Sequence, residues 1–310
     1  MPSANPATQL IAPALKTNLT RLLLVSSLVL SVAVPSSFAQ RQLGKKKGPT
    51  SKLYVAESSG DSVIQSGDKI YTTKQATAFD APGTIIETKA GSHNAIVYSN
   101  GTGMFVDENT RVEIGRFVQE PFKPERDATL DQPYEPSISQ SNVYVPHGAV
   151  GICTSRLVSG SSMLYSTPHG SVNIRGGKVA IESHAGETYI DLIEGDVTVR
   201  SGGKDVGGQI LRTGERAIVK PPGGPGLEST ITIQPIPDDA KKVDDERVEM
   251  ACNAKKTVTF EALDRKAGEA GGGEAAAGAD NSDQDIVAKP TVPGNPPTNI
   301  VVSPDRLPGT

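Results

Sequence analysis

Through the middle of the chain, apolar residues alternate with polar ones over short runs, and turn-forming residues break those runs at close intervals. Period-two alternation of this kind predicts half-buried β-strands rather than helices. The first block covers residues 62–117. There Ala95 to Tyr98 reads as a strand, Asn100-Gly101 as a tight turn tolerant of positive φ, and Met104-Phe105-Val106 as the returning strand. Asp107-Glu108-Asn109 then turns the chain into Arg111 to Ile114, where Val112 and Ile114 alternate with charged neighbours. A second block over 143–222 repeats the rhythm in Val172 and Ile174, Val179 and Ile181, Ile190 and Leu192, and Val197 and Val199. Its expected turns are Thr167-Pro168-His169-Gly170, Arg175-Gly176-Gly177, His184-Ala185-Gly186, Glu194-Gly195 and Thr213-Gly214. Strands of about five residues at this spacing predict an all-β fold of many short strands, built as a β-roll, a sandwich or a short β-solenoid.

The flanking segments have different patterns. Residues 119–141, with Pro121, Pro124, Pro133 and Pro136, read as a loop joining two halves of one domain at 55–237. The densely charged 238–265 predicts a short helix from Asp238 to Ala251, capped by Asp238 or Asp239, and then a last strand at Thr257 to Phe260. Residues 266–310 combine glycine and alanine triplets with repeated prolines and almost no large apolar side chains. Such a stretch buries too little surface to offset its ordering entropy, so a disordered tail is expected. At the other end, Lys16 and Arg21 precede an apolar run from Leu22 to Val34. That run is well short of the roughly 20 residues a membrane-spanning helix needs. Small residues at Ser37 and Ala39 suit signal peptidase, so residues 1–39 read as a signal peptide cleaved after Ala39. Residues 40–54, with Lys45-Lys46-Lys47, then form a basic flexible leader. The expected location is periplasmic or secreted, with no transmembrane segment after signal removal.

Composition narrows the picture. The chain has 32 Gly, 23 Pro, no Trp and only 4% aromatic residues, which suits a thin Val and Ile core. Removing residues 1–39 takes away two positive charges and no acid, moving the formal net charge from −4 to −6. Bulk charge of that sign gives nucleic acid no attraction. There is no nucleophile elbow, no phosphate loop and no His-Glu-x-x-His helix. The histidines His93, His147, His169 and His184 have no metal-ligand spacing, although His169 and His184 occupy expected turns that can meet in space. The expectation is therefore a non-enzymatic protein with no catalytic residues, metal or cofactor. Cys153 and Cys252 are the two cysteines, and export would place them where a disulfide forms.

The order of elements resembles the FecR domain of periplasmic regulators that carry signals from outer-membrane receptors to a sigma factor. The resemblance spans residues 55–222. It is carried first by Asp61 to Ile70, including Gly67, by Asn100-Gly101 and by Asn109 to Ile114. It continues in Thr167-Pro168, Val172 to Gly176 including Arg175-Gly176, Ile193 to Val199 including Glu194-Gly195, and Thr213 to Ala217 including Gly214-Glu215. Gly177 stands where the family commonly has threonine, and a signal peptide replaces the family's cytoplasmic segment and membrane helix. The resemblance implies a stand-alone periplasmic or secreted β module and, as one function, a signalling component working with an outer-membrane receptor or sigma-factor regulator. Apart from it, the leading expectation is a module that binds or scaffolds an envelope protein partner through strand edges and loops; a surface carbohydrate-binding protein on a solenoid-like fold is a further alternative, disfavoured by the scarcity of aromatic residues.

Overall fold

The computed structural model describes residues 51–67, 69–72, 78–122, 132–202, 207–224, 229–264 and 284–291. The expected signal peptide with its cleavage residue Ala39, residues 40–50 of the expected basic leader, and residues 265–283 and 292–310 lie outside the described residues. In chain order the strands are β1 Lys52–Ser59, β2 Ser62–Ser66, β3 Lys69–Thr72, β4 Ala78–Asp80, β5 Thr84–Thr88, β6 His93–Tyr98, β7 Gly103–Val106 and β8 Arg111–Gln119. They continue as β9 Ser139–Thr154, β10 Ser162–Ser166, β11 Ser171–Ser183, β12 Thr188–Arg200, β13 Gln209–Leu211, β14 Glu215–Lys220 and β15 Thr230–Pro235. A helix α1 at Asp238–Lys255 follows, and then β16 Val258–Asp264 and β17 Gln284–Pro290.

The fold is all-β, and strands β1 to β15 form one hydrogen-bonded sheet. Three long strands divide it into two leaves. The first part of β9 pairs with β8 and with β10, and its second part pairs with β7 and β11. Likewise β11 and β12 pair with each other throughout, while β12 meets β14 at one end and β13 at the other. One leaf therefore runs β15-β14-β12-β11-β9-β7-β6-β1-β4. The other runs β13-β12-β11-β10-β9-β8-β5-β2-β3. Between them lies a single core drawn from both blocks, in which Ile64, Ile86, Ile96, Val112, Ile152 and Ile190 are completely buried.

The apolar alternation changes phase in the middle of each shared strand. Val143 and Val145 give way to Val150 and Ile152 on β9, Val172 and Ile174 to Val179 and Ile181 on β11, and Ile190 and Leu192 to Val197 and Val199 on β12. An odd step would turn the second set to solvent unless the strand bulges. Register shifts between Ile174 and Gly176 and between Lys178 and Val179 supply that correction on β11. This corrects the expected turns at Arg175-Gly176 and Glu194-Gly195. Neither ends a strand: Gly177 and Gly195 oppose each other inside the β11–β12 ladder, at φ 113° and 114°. A Cβ on Gly177 would lie 2.0 Å from the Glu194 carbonyl oxygen, and one on Gly195 2.0 Å from that of Gly176, so only glycine fits this crossing. The strands are accordingly longer than five residues where they cross, with 16 in β9 and 13 each in β11 and β12.

Helix α1 lies on the outer face of the first leaf, where the sheet has been thinned to receive it. On a shared face of β7 and β9, Gly103 and Gly151 have no side chains. A Cβ on Gly103 would come within 2.0 Å of the Ala251 carbonyl oxygen, and one on Gly151 within 2.5 Å of that of Arg247. Around this seat Ala95, Val97 and Phe105 pack with Ala251, Ala254, Val258 and Phe260 in a second, smaller core. The disulfide Cys153–Cys252, with Cα atoms 5.1 Å apart, ties helix to strand across a separation of 99 residues. Closing a loop of that length stabilises the fold by about 4 to 5 kcal/mol in the chain-entropy model.

The helix extends four residues beyond the expected end at Ala251, to Lys255. Its N-cap is Pro237 with no side-chain cap; Asp238 and Asp239 sit inside the first turn, where they favour the helix dipole instead of capping it. The expectation of disorder over 266–310 is corrected at β17, which pairs with β16 in a separate two-stranded sheet. Ala288 joins the smaller core there, which explains why this short apolar stretch orders. Among the described residues no helix is long and apolar enough to cross a membrane.

If the glycine seat positions α1, Gly103→Ala and Gly151→Ala each destabilise the oxidised protein by about 1 to 3 kcal/mol in urea titration. The exposed Gly186, with open space at its Cβ position, should tolerate alanine to within about 0.5 kcal/mol.

Candidate functional site

The long-strand crossing forms the floor of an open groove of about 980 Å³. Gly176 pairs with Asp196, Gly177 with Gly195, and Lys178 with Glu194, so two motifs that looked like separate turns converge here. One wall is the chain leaving β9, from Ser155 to Ser161. It is fixed by backbone bonds from Leu157 N to Arg175 O at 2.9 Å and from Arg156 N to Pro133 O at 3.0 Å. Beneath it, the buried Glu135 carboxylate accepts hydrogen bonds from Val158 N at 2.9 Å and Ser139 Oγ at 2.6 Å. Burial raises the Glu135 pKa, and those hydrogen bonds partly offset the rise. Asn100 of the first hairpin completes this support by donating to Ser139 Oγ at 3.0 Å.

The groove carries an excess of positive charge. Arg156, Arg175, Lys178 and Lys255 line it against Glu194 and Asp196. Lys178 is paired with Glu194 at 2.8 Å. The exposed Arg156 and Arg175 have no ion-pair partner among the described residues. Lys255, the last residue of α1, is 8% exposed and donates to Ser155 Oγ at 2.6 Å. Ser155 in turn donates to Gln132 O at 2.6 Å. Because the hydroxyl proton is directed at a carbonyl and the ammonium is the donor, this pair tethers the helix end to β9 and does not form a nucleophile with its base. The groove thus presents two exposed guanidinium groups, on Arg156 and Arg175, along its rigid strands and wall.

A second polar cluster fastens α1 to strands β12 and β14 of the first leaf. Arg216 on β14 forks onto Asp191 on β12, with Nε–Oδ1 at 2.7 Å and Nη2–Oδ2 at 2.5 Å, and reaches Asp244 of α1 at 3.4 Å. Arg247 bridges Asp244 at 3.2 Å and Asp107 at 2.7 Å. The side chains of Asp191 and Asp244 are only 2% and 3% exposed. Burial, followed by the hydrogen bond and charge of Asp191, raises the Asp244 pKa to about 8. A folded-state pKa raised above the unfolded value makes the folded state hold a proton the unfolded state has lost. Stability from this group is therefore full below about pH 4 and declines as pH rises toward 8. Asp244→Asn mimics the protonated acid. Urea titrations at pH 5 and 7.5 should show wild type losing on the order of 1 to 3 kcal/mol more than the variant.

The remaining motif residues serve turns. Gly67 separates β2 from β3, and Asn100-Gly101 separates β6 from β7 with Asn100 Oδ1 accepting from Thr102 N at 3.1 Å. Thr167-Pro168 links β10 to β11, with Thr167 Oγ1 accepting from Gly170 N at 3.2 Å. Gly214-Glu215 opens β14, and Glu215 accepts from Arg212 N at 2.8 Å. His169 and His184 do meet, through His169 Nε2 and the His184 carbonyl at 3.0 Å. Arg156, Glu135 and Lys255 carry no motif of their own, since the contacts that bring them to the groove, such as Val158 N to Glu135 and Lys255 to Ser155, span 23 and 100 residues of chain.

No family model matches the chain, and no curated protein matches it. Two solved structures from Parabacteroides distasonis, each described as a "putative anti-sigma factor", are similar to it. The first has 18% identity and a TM-score of 0.36 over 51% of this chain and 62% of that one. The second has 14% identity and a TM-score of 0.34 over 53% and 74%. The chain thus spans less than two thirds of the first structure's length. A functional reading rests on this chain's own residues.

Proposed function

We propose that the protein is an exported, non-enzymatic binding module of the cell envelope, and that its groove holds an acidic segment of a partner protein. The observation that carries this reading is the pair Arg156 and Arg175, exposed and without ion-pair partners among the described residues, at the rim of a groove built on rigid strands. A guanidinium left free while Lys178 beside it is paired suits a carboxylate supplied from outside. The signal-peptide pattern supports placing that partner in the periplasm or outside the cell.

A second reading, that the module is a FecR-like component of a signalling chain, is favoured by one observation. The Arg175-Gly176 and Glu194-Gly195 motifs that carry the resemblance share this groove. In that case the acidic segment belongs to an outer-membrane receptor or to a membrane-anchored regulator.

The test is a photocrosslinking residue at Ser159, exposed on the groove wall, in intact cells, with adducts identified by mass spectrometry. One envelope protein should dominate the adducts, and Arg156→Glu with Arg175→Glu should cut its yield by roughly tenfold or more, since charge-assisted bonds contribute about 1.5 to 3 kcal/mol each. Equal yield from the doubly reversed protein contradicts the reading.

A further inference from the structure

Strand β15 ends the first leaf and, among the described residues, pairs only with β14. Its sequence, Thr230-Ile231-Thr232-Ile233-Gln234-Pro235, has no charge, and the residues on either side, Ser229 and Ile236, add none. Free edges are normally blunted by lysine, by proline, by a bulge or by brevity; β15 has six residues, no bulge in its register and no lysine, and its one proline, Pro235, stands at its last position.

The ladder shows which backbone groups are free. Ile236 N donates to Gly214 O at 2.9 Å, and antiparallel pairs alternate between bonded and non-bonded. With Gln234 opposite Arg216 and Thr232 opposite Ile218, the even-numbered residues direct their N–H and C=O groups at β14. Ile231 and Ile233 therefore direct theirs outward. Pro235, which has no N–H, occupies an outward position, so it forfeits no bond to β14 and closes one end of the open stretch.

The side chains sort in the same way. Ile231 and Ile233 stand opposite Val219 and Ala217, both fully buried, and Ile231 packs against the main core. Ile233 remains 37% exposed. Thr230, Thr232 and Gln234 lie on the other face.

We propose that β15 pairs antiparallel with β15 of a second copy of this chain, about a two-fold axis through Thr232, joining the first leaves of two molecules into one continuous sheet. The copy is the occupant because the strand is complementary to itself. Centred on Thr232, the register sets Ile231 against Ile233 of the copy, Thr232 against Thr232, and Thr230 against Gln234, apolar on one face and polar on the other, with no like charges opposed. The outward N–H and C=O groups of Ile231 and Ile233 then pair with their counterparts, and Ile233 loses its exposure. An edge of this length makes a small interface, so association should depend on concentration.

Sedimentation of the oxidised chain from residue 40 onward, over a hundredfold concentration range, should show a monomer–dimer equilibrium. Ile233→Lys should remain monomeric with unchanged far-ultraviolet circular dichroism. Thr232→Cys supplies a register test: at a non-bonded antiparallel pair the Cα atoms lie about 4.5 Å apart, within disulfide reach. Air oxidation of Thr232→Cys should yield a covalent dimer, and of Thr230→Cys far less. A monomer at every concentration overturns the proposal, as does a dimer that survives Ile233→Lys and gives no Thr232→Cys crosslink.

Discussion

The structure depends on how α1 is held against the outer face of a β-sheet. The helix is strongly hydrophilic, with charged residues at nine of its first twelve positions from Asp238 to Glu249, so apolar burial alone gives it little reason to dock. Most of a helix's stability in a protein comes from tertiary packing, and the 18-residue α1 has five buried residues to supply it. Three features combine to seat it. Gly103 and Gly151 let its backbone approach the sheet, Cys252 fixes it to Cys153, and Asp244 and Arg247 join the buried ion network of Asp191, Arg216 and Asp107. Their weights differ. A buried ion pair gains little net stability after desolvation, whereas a cross-link over 99 residues contributes about 4 to 5 kcal/mol. The disulfide is thus the main tie, and the ion network chiefly fixes orientation.

That seating also shapes the groove. Lys255 reaches Ser155 because Cys252, three residues earlier, is already bonded to the end of β9. The opposite side is set by the glycine crossing of β11 and β12, which brings Arg175, Lys178 and Glu194 to one surface. The site is a junction of the two leaves and the helix, and no single segment contains it.

Much of the fold was legible in the sequence, and the misread parts share a cause. Alternation located the strands of the two blocks but not β4 or β5, and it left the start of β1 in the expected flexible leader and β17 in the expected disordered tail; Asn100-Gly101 marked its hairpin because a two-residue turn has a local signature. Arg175-Gly176-Gly177 and Glu194-Gly195 look like turns in the sequence because glycine between apolar runs looks the same at a bulge as at a strand end. Only the partner strand distinguishes them, and pairing is non-local. For the same reason Gly103 and Gly151 gave no sign of being a helix seat, and Arg156 and Lys255 gave no sign of sharing a groove. The two cysteines were legible as a pair because a chain with two thiols offers one intramolecular disulfide. What that bond holds in place was visible only in the structure.

The central claim, that α1 is locked onto the first leaf as part of one cooperative unit, is tested most directly by native-state hydrogen exchange followed residue by residue in the oxidised protein. The account predicts that the amides of α1 around Val248 to Ala254 are protected to the same free energy as those of β9 around Val150 to Cys153, and that reducing the disulfide lowers protection of the helix first. Helix amides exchanging orders of magnitude faster than β9 with the disulfide intact would contradict it.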